Sequence, residues 1–164
     1  MTDETPPEGE KTADTARHAT SDEERFLLAV RGANDGLWDW DLATDTVYYS
    51  PRWYEMLGMA RDELDDTPAT LQTWIARVHT ADRERVLAEL QTFVEAPKTS
   101  QTRLVVEHRL RHRNGRYRWM LARAAARRDA NGRALRIAGW HTDVTEDKHA
   151  EQRLYEMEAR YRGI

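Results

Sequence analysis

Apolar and polar residues along this chain repeat with two different periods. In Leu37-Trp38-Asp39-Trp40-Asp41-Leu42 the residues Trp38, Trp40 and Leu42 fall on one side and Asp39 and Asp41 on the other, the period of two that a half-buried strand requires. Ala43-Thr44-Asp45 supplies a turn, and Val47-Tyr48-Tyr49 returns as a second strand. From Thr102 to Val144 the pattern predicts a three-stranded antiparallel meander. Leu104, Val106, His108 and Leu110 alternate there with Arg103, Glu107, Arg109 and Arg111. Asn114-Gly115 is a two-residue hairpin signal, and Asn131-Gly132 marks the next turn.

Between and around the strands the period lengthens to that of a helix. Ser21-Asp22-Glu23-Glu24 fits a capping box, followed by Phe26, Val30 and Ala33 on one stripe. Ser50-Pro51 opens a helix that stops at Gly58, because proline in a first turn loses no hydrogen bond. Arg61 to Leu64 and Thr70 to Val78 read as further short helices. Thr80 caps the clearest helix, with Val86, Leu87, Leu90, Phe93 and Val94 on one face until Pro97 ends it. Thr145 caps the last helix, and Glu146 and Asp147 sit where the helix dipole favours acids. Residues 1–20 hold no large aliphatic residue after Met1 and read as a disordered lead. The predicted organisation is therefore a lead over 1–20, an amphipathic helix over 21–34, a domain over 35–145 and a C-terminal helix over 146–164. Strands at both ends of a helical middle imply one antiparallel sheet with helices packed on it, an α+β fold.

Composition narrows the function classes. With 40% hydrophobic and 33% charged residues, the 164-residue chain reads as one soluble globular domain with a heavily solvated surface. Its net charge of −4 leaves no basic surplus for nucleic acid. The absence of cysteine removes disulfides, thiolate metal sites and cysteine nucleophiles. No apolar run approaches the roughly 18 residues of a membrane span, and the N-terminus has no signal-peptide pattern, so the cytoplasm is the expected location. There is no Gly-rich phosphate loop, no Gly-x-Ser-x-Gly elbow and no His-Glu-x-x-His, and the Asp39–Asp41 pair is the solvent side of a strand. Catalysis is not expected. Nor is a metal: His108 and His112 would lie about 13 Å apart in a strand, with no carboxylate between them on the same face.

Several segments together resemble a known family. Gly36-Leu37-Trp38-Asp39-Trp40-Asp41-Leu42, then Tyr49-Ser50-Pro51-Arg52-Trp53 and Leu57-Gly58, are similar to the opening of a PAS domain, a sensory module of bacterial histidine kinases and diguanylate cyclases. Val78-His79-Thr80-Ala81-Asp82-Arg83 is similar to the family's His-Pro-Asp-Asp-Arg helix start, departing from it at Thr80 and Ala81. The run Glu107 to Gly115, then Arg118-Trp119, Arg128 to Gly132, and Gly139-Trp140-His141-Thr142-Asp143-Val144-Thr145-Glu146 resembles its closing PAC half. The resemblance covers roughly residues 25–148. It implies a five-stranded antiparallel sheet of order 2-1-5-4-3, with helices enclosing a pocket against one face.

The resemblance also implies roles for residues. In flavin-binding light sensors of the family a glutamine two positions before the terminal aspartate faces the ligand, and His141 stands at that place. Strand alternation then puts Ile137, Met120, Ala122, Ala124, His108, Leu110, Trp38 and Trp40 on the inner wall. His141 would either bond a small molecule or be satisfied by a neighbour. With two tryptophans on that wall the cavity would be small or fully packed. A flavin held by a cysteinyl adduct is excluded, and haem through His79 is not supported, because that position caps or packs in the family. The expected cofactor is none, or an unidentified small molecule. Tyr117, Trp119, Leu121 and Trp140 would lie on the outer face, a patch that calls for cover. Phe26 and Val30, a second copy of the chain, or both would supply it. Ala150, Leu154, Met157 and Tyr161 follow the four-three-four spacing of a coiled-coil seam, the competing outcome being a helix folded back on its own domain. Two heptads are marginal alone, so pairing would need the outer face as well. The expected role is a sensory input domain that forms a homodimer and relays a change through Asp143 and Thr145 to a downstream effector in a longer receptor. The alternative is a ligand-free PAS module for protein–protein interaction.

Overall fold

The computed structural model describes residues 24–25, 28–30, 32–60, 68–96 and 103–163. The chain divides into two compact units, residues 1–34 and 35–164. In the first, positions 24–25, 28–30 and 32–33 are helical, with Val30 half-buried and Leu28 exposed. The capping box from Ser21, Phe26, the lead over 1–20, the Arg61 to Leu64 helix and Pro97 each lie wholly or partly outside the described residues.

The second unit runs β1 (Gly36–Asp41), β2 (Thr46–Tyr49), α1 (Pro51–Met56), α2 (Leu71–Ile75), α3 (Thr80–Glu95), β3 (Arg103–Arg111), β4 (Tyr117–Arg128), β5 (Ala134–Asp143) and α4 (Thr145–Arg162). Its sheet has the order β2-β1-β5-β4-β3 with every pair antiparallel, the α+β fold that the resemblance implies. Ser50 caps α1, its hydroxyl accepting from Trp53 N at 3.3 Å while its own backbone N–H donates to Leu37 O, so the helix start is pinned to β1. Alternation along the strands sends Leu104, Val106, His108 and Leu110 of β3, Met120, Ala122 and Ala124 of β4, and Ile137, Gly139 and His141 of β5 into the interior. Trp53, Leu57, Val86 and Phe93 close over them from the helical side, each at most 1% exposed.

Four local readings are corrected. His79, not Thr80, is the N-cap of α3: its imidazole Nδ1 accepts from Ala81 N at 3.1 Å and meets the orphan donor that a hydroxyl would have served. At α4 the N-cap position is Val144, and the Asp143 carboxylate does the capping by accepting from Thr145 N at 2.9 Å. Leu87 is 38% exposed, because the buried stripe of α3 runs through Asp82, Val86, Leu90 and Phe93 and leaves it at the edge. The Asn114-Gly115 hairpin has a three-residue rather than a two-residue loop, and the turn at Asn131-Gly132 has the same length. His112 N donates to Arg116 O and Asp129 N to Arg133 O, with Gly115 and Gly132 at φ of 82° and 91° in the left-handed position such loops require.

Candidate functional site: a tryptophan–histidine pocket and the exit junction

The register of the sheet explains why a pocket exists. One interior row reads Tyr49, Trp38, Gly139, Ala124, Leu104 across the five strands; the next reads Gly36, His141, Ala122, Val106. Large aromatic residues on β1 and β2 thus face small residues in the middle of the sheet. A side chain on Gly139 would run into the Arg123 carbonyl and the Ala124 side chain of β4, so the row stays low there. His108 lies two residues along β3 from Val106, diagonally across β4 from His141. At about 4.8 Å per strand across and about 3.4 Å per residue along, their backbones are roughly 12 Å apart. The methyl of Ala122 between them lets the rings lean to a 5.3 Å centroid separation, edge to face.

Both rings are engaged by indoles from the helices. Trp53 Nε1 of α1 donates to His141 Nδ1 at 3.2 Å, and Trp74 Nε1 of α2 donates to His108 Nε2 at 3.0 Å. Burial pushes His108 down to about 4, the Val106 carbonyl acting the other way without meeting hydrogen-bond geometry. Burial, reinforced by His108, holds His141 well below the ordinary histidine value. Both are therefore neutral at pH 7. The second nitrogen of each ring and Trp38 Nε1 are buried without a hydrogen-bond partner.

Trp38, Trp40, Ala122 and His141 line a cavity of about 30 Å³. Sequence reasoning also named His108, Leu110, Met120 and Ile137, which are at most 1% exposed and form the solid core around the cavity instead of its lining. Leu110 is sealed against Val78 by a bridge, and Met120 lies between His108 and Asp143 at the far end of the row. The remaining lining comes from Val47 and Tyr49, from Trp74 and Leu71 of α2, from Val86 and Leu90 of α3, and from Leu104 and Val106. None of these eight was named from the sequence as pocket lining, Trp74 included. Nothing in the spacing of a five-residue helix says that its indole reaches a strand 34 positions away.

About 30 Å³ holds roughly two water molecules and takes neither a haem nor a flavin ring system. His79 stands away from the cavity, engaged at its cap and 4.5 Å from the Tyr117 ring. Asp39 is held by Arg136 across β1 and β5, and Asp41 accepts from Ala43 N, so these two carboxylates serve the sheet edge and a turn. His112 accepts from Asn114 N in the hairpin. Among the described residues no group of three or more histidines and carboxylates could hold a metal ion, and no helix is long and apolar enough to cross a membrane.

Two positions beyond His141 the last strand becomes the exit helix. Thr145 is 5% exposed, and its hydroxyl accepts from Trp119 N at 2.9 Å; Val144 N donates to Trp119 O at 2.8 Å. Lys148 pairs with Glu107 at 2.6 Å and lies 5.4 Å from the centroid of the Trp119 ring, on which Arg109 also stacks at 5.1 Å. Arg109 is gripped at both ends by Asp82 at the start of α3. This Arg109 fork, outweighing the upward push of burial, holds the Asp82 carboxyl down at about 2. Asp82, Arg109, Trp119 and Lys148 thus form one connected path from α3 to α4 over the outer face. Trp119 and Leu121 are half-buried there, while Trp140 is 40% exposed.

Residues 46–141 match the PAS fold family, and the chain belongs to it. It is 29% identical over 141 residues to the sensor protein FixL of Bradyrhizobium diazoefficiens, covering 86% of this chain and 26% of that protein. It is 28% identical, with the same coverage, to the blue-light-activated histidine kinase of Brucella anthropi. Among solved structures, a sensory box histidine kinase/response regulator from Burkholderia thailandensis superposes with a TM-score of 0.71 at 36% identity, over 85% of this chain and 99% of that one. The chain spans about a quarter of the length of these two curated relatives.

Proposed function

We propose that residues 35–145 are the signal-sensing input domain of a longer receptor and that residues 146–164 carry its output as a paired helix. The relatives support the first half, since FixL and the blue-light-activated kinase are sensors much longer than this chain. One observation carries the second. After Lys148, every described residue of α4 is exposed, Leu154, Met157 and Tyr161 at 58%, 53% and 75%, so the helix does not fold back on its own sheet. An 18-residue helix whose apolar seam is left exposed among the described residues gains stability by burying that seam against a second copy. Trp140 and the half-buried Trp119 and Leu121 extend the apolar surface at its base.

In this reading a change at His141 moves β5, whose last residue, Asp143, caps α4. The shift reaches the paired helices as a rotation or splaying, and its size is bounded by the ligand's differential affinity for the two states. The domain performs no chemistry itself; the effector downstream does. Replacing Asp143 removes the cap bond to Thr145 N without touching the core. In a full-length receptor Asp143→Ala is expected to keep the fold and abolish the response to stimulus. A response of normal size would overturn the relay.

A further inference from the structure

Helix α4 is attached to its domain over a single turn. Val144 N donates to the Trp119 carbonyl at 2.8 Å and the Thr145 hydroxyl accepts from Trp119 N at 2.9 Å, so both bonds fix the point from which the helix starts. One point does not give a rigid rod a direction. The second point is Lys148, the last residue of α4 that is not exposed among the described residues, which pairs with Glu107 and lies over the Trp119 ring. It stands about 4.5 Å along the helix axis from Thr145, whereas Arg162 stands about 25 Å along it. A shift of about 1 Å at Lys148 therefore becomes about 6 Å at the far end.

What holds Lys148 is itself held by α3. Strand β3 is an edge of the sheet, so side chains from the helical layer can reach round it. Two residues of α3 do so. Asp82 accepts from the Arg109 backbone N–H at 2.9 Å and from its guanidinium at 3.0 and 2.8 Å, and that guanidinium stacks on Trp119. Arg85 donates to the Glu107 carbonyl at 2.7 Å, with Glu89 at 3.0 Å keeping it in place, and Glu107 is the residue whose carboxylate takes Lys148. Among the described residues neither Asp82 nor Arg85 bonds α4 directly. The same helix lines the interior cavity with Val86 and Leu90.

We propose that α3 sets the direction in which α4 leaves the domain, through two links round the edge of β3: Asp82–Arg109–Trp119 and Arg85–Glu107–Lys148. The proposal rests on the reading of α4 as the output helix, and adds to it a second entry by way of α3 instead of β5. Arg109, Glu107 and Lys148 are its positioning residues. Asp82 and Arg85 lie about one turn apart on α3, so a roll or slide of that helix carries both together. It then moves both groups between which Lys148 is held, the Glu107 carboxylate and the Trp119 ring. The Asp143 cap on Thr145 N lies at the other point and acts on where α4 starts. The links from α3 act on where it points.

The chain has no cysteine, so Ala130→Cys and Ala159→Cys place one spin label on the turn after β4 and one on α4, and nowhere else. Labelled chain is diluted into excess unlabelled chain, so that electron–electron double resonance reads the distance within one molecule. The parent should give one narrow distribution. The double variant Asp82→Asn, Arg85→Gln changes no residue of α4 or of the sheet. It should shift or widen that distribution by about 5 Å, which is what a slip of about 1 Å at Lys148 produces at position 159. Lys148→Gln should do the same. Glu151→Gln removes the other carboxylate beside Lys148, at 3.7 Å, and should leave the distribution as in the parent. A double variant that keeps the parent's distribution overturns the proposal, whatever Lys148→Gln does. So does a change of equal size in Glu151→Gln, which would reduce the effect to surface charge in general. Should the double variant unfold, Arg85→Gln, at a half-exposed side chain, is read in its place against the same two outcomes. Failure here leaves the Asp143→Ala result untouched, and a normal response in Asp143→Ala leaves the links round β3 in place.

Discussion

Ile137 on the central strand β5 and Leu110 on the inner face of β3 have no exposed surface, whereas Leu154, Met157 and Tyr161 along α4 are each more than half exposed. The first region is closed by residues far apart in sequence: Trp53 meets His141 across 88 positions. Beyond Lys148 the second is built from neighbours, its ion pairs and side-chain hydrogen bonds running between residues four apart, such as Arg162 with Glu158 and Gln152 with Glu156. A core of the first kind is self-sufficient and sensitive to volume. A helix of the second kind is tolerant of substitution and incomplete, because local bonds of that sort contribute only about 0.2–0.5 kcal/mol each. Their boundary is three residues long, Asp143-Val144-Thr145, where the last strand gives way to the exit helix.

That contrast can be broken most forcefully at Gly139. A valine there would meet the Arg123 carbonyl and Ala124 on β4, and overpacking should cost about 3 kcal/mol or prevent folding. Chemical denaturation would read this as a large fall in midpoint; an unchanged midpoint would show that the sheet is not as tightly built as described. Acid should act on the same region. His108 is neutral when folded and titrates near 4, against about 6.5 unfolded, so below pH 6.5 the unfolded chain binds the extra proton. Stability should be level above about pH 6.5 and fall toward pH 4 by roughly 3 kcal/mol from His108 alone, with His141 adding in the same direction. His108→Gln keeps an acceptor for Trp74 and should flatten that slope. If it does not, the histidines are not what the acid titrates.

At the junction the expected effects shrink. Asp82→Asn removes the charge held by Arg109 and should cost about 1–2 kcal/mol at pH 7. Because the folded carboxyl titrates near 2 and the free one near 3.8, the difference between variant and parent should vanish only as pH falls through that window. Persistence of the full difference below pH 2 would remove the ion pair as its cause. Leu154→Glu on α4 should change monomer stability by less than about 0.5 kcal/mol, while light scattering should show the chain shifted from dimer to monomer. A monomer in both proteins would mean that the seam serves something other than a second copy.

Much of the fold was legible because strand alternation is a local property. Trp38-Asp39-Trp40 and Val106-Glu107-His108 carry their own faces, and Ser50-Pro51 its own helix start. The position of each cap was less legible, since His79 and Asp143 do with ring and carboxylate what Thr80 and Thr145 promised with hydroxyls. The candidate site was half visible: Trp38, Trp40, Ala122 and His141 line the cavity, while Trp74 and Trp53 gave no sign in sequence of their reach.

The sequence by itself determined which residues face inward, because a period of two leaves a side chain one of two directions. It also determined that cysteine chemistry is absent and that the last helix carries an apolar seam. The tertiary structure decided which inward residues meet, and so the protonation of His141, the small size of the cavity and the exposure of α4. Those depend on distances between segments dozens of residues apart, and such distances are set by how helices close over the sheet, which no local pattern encodes.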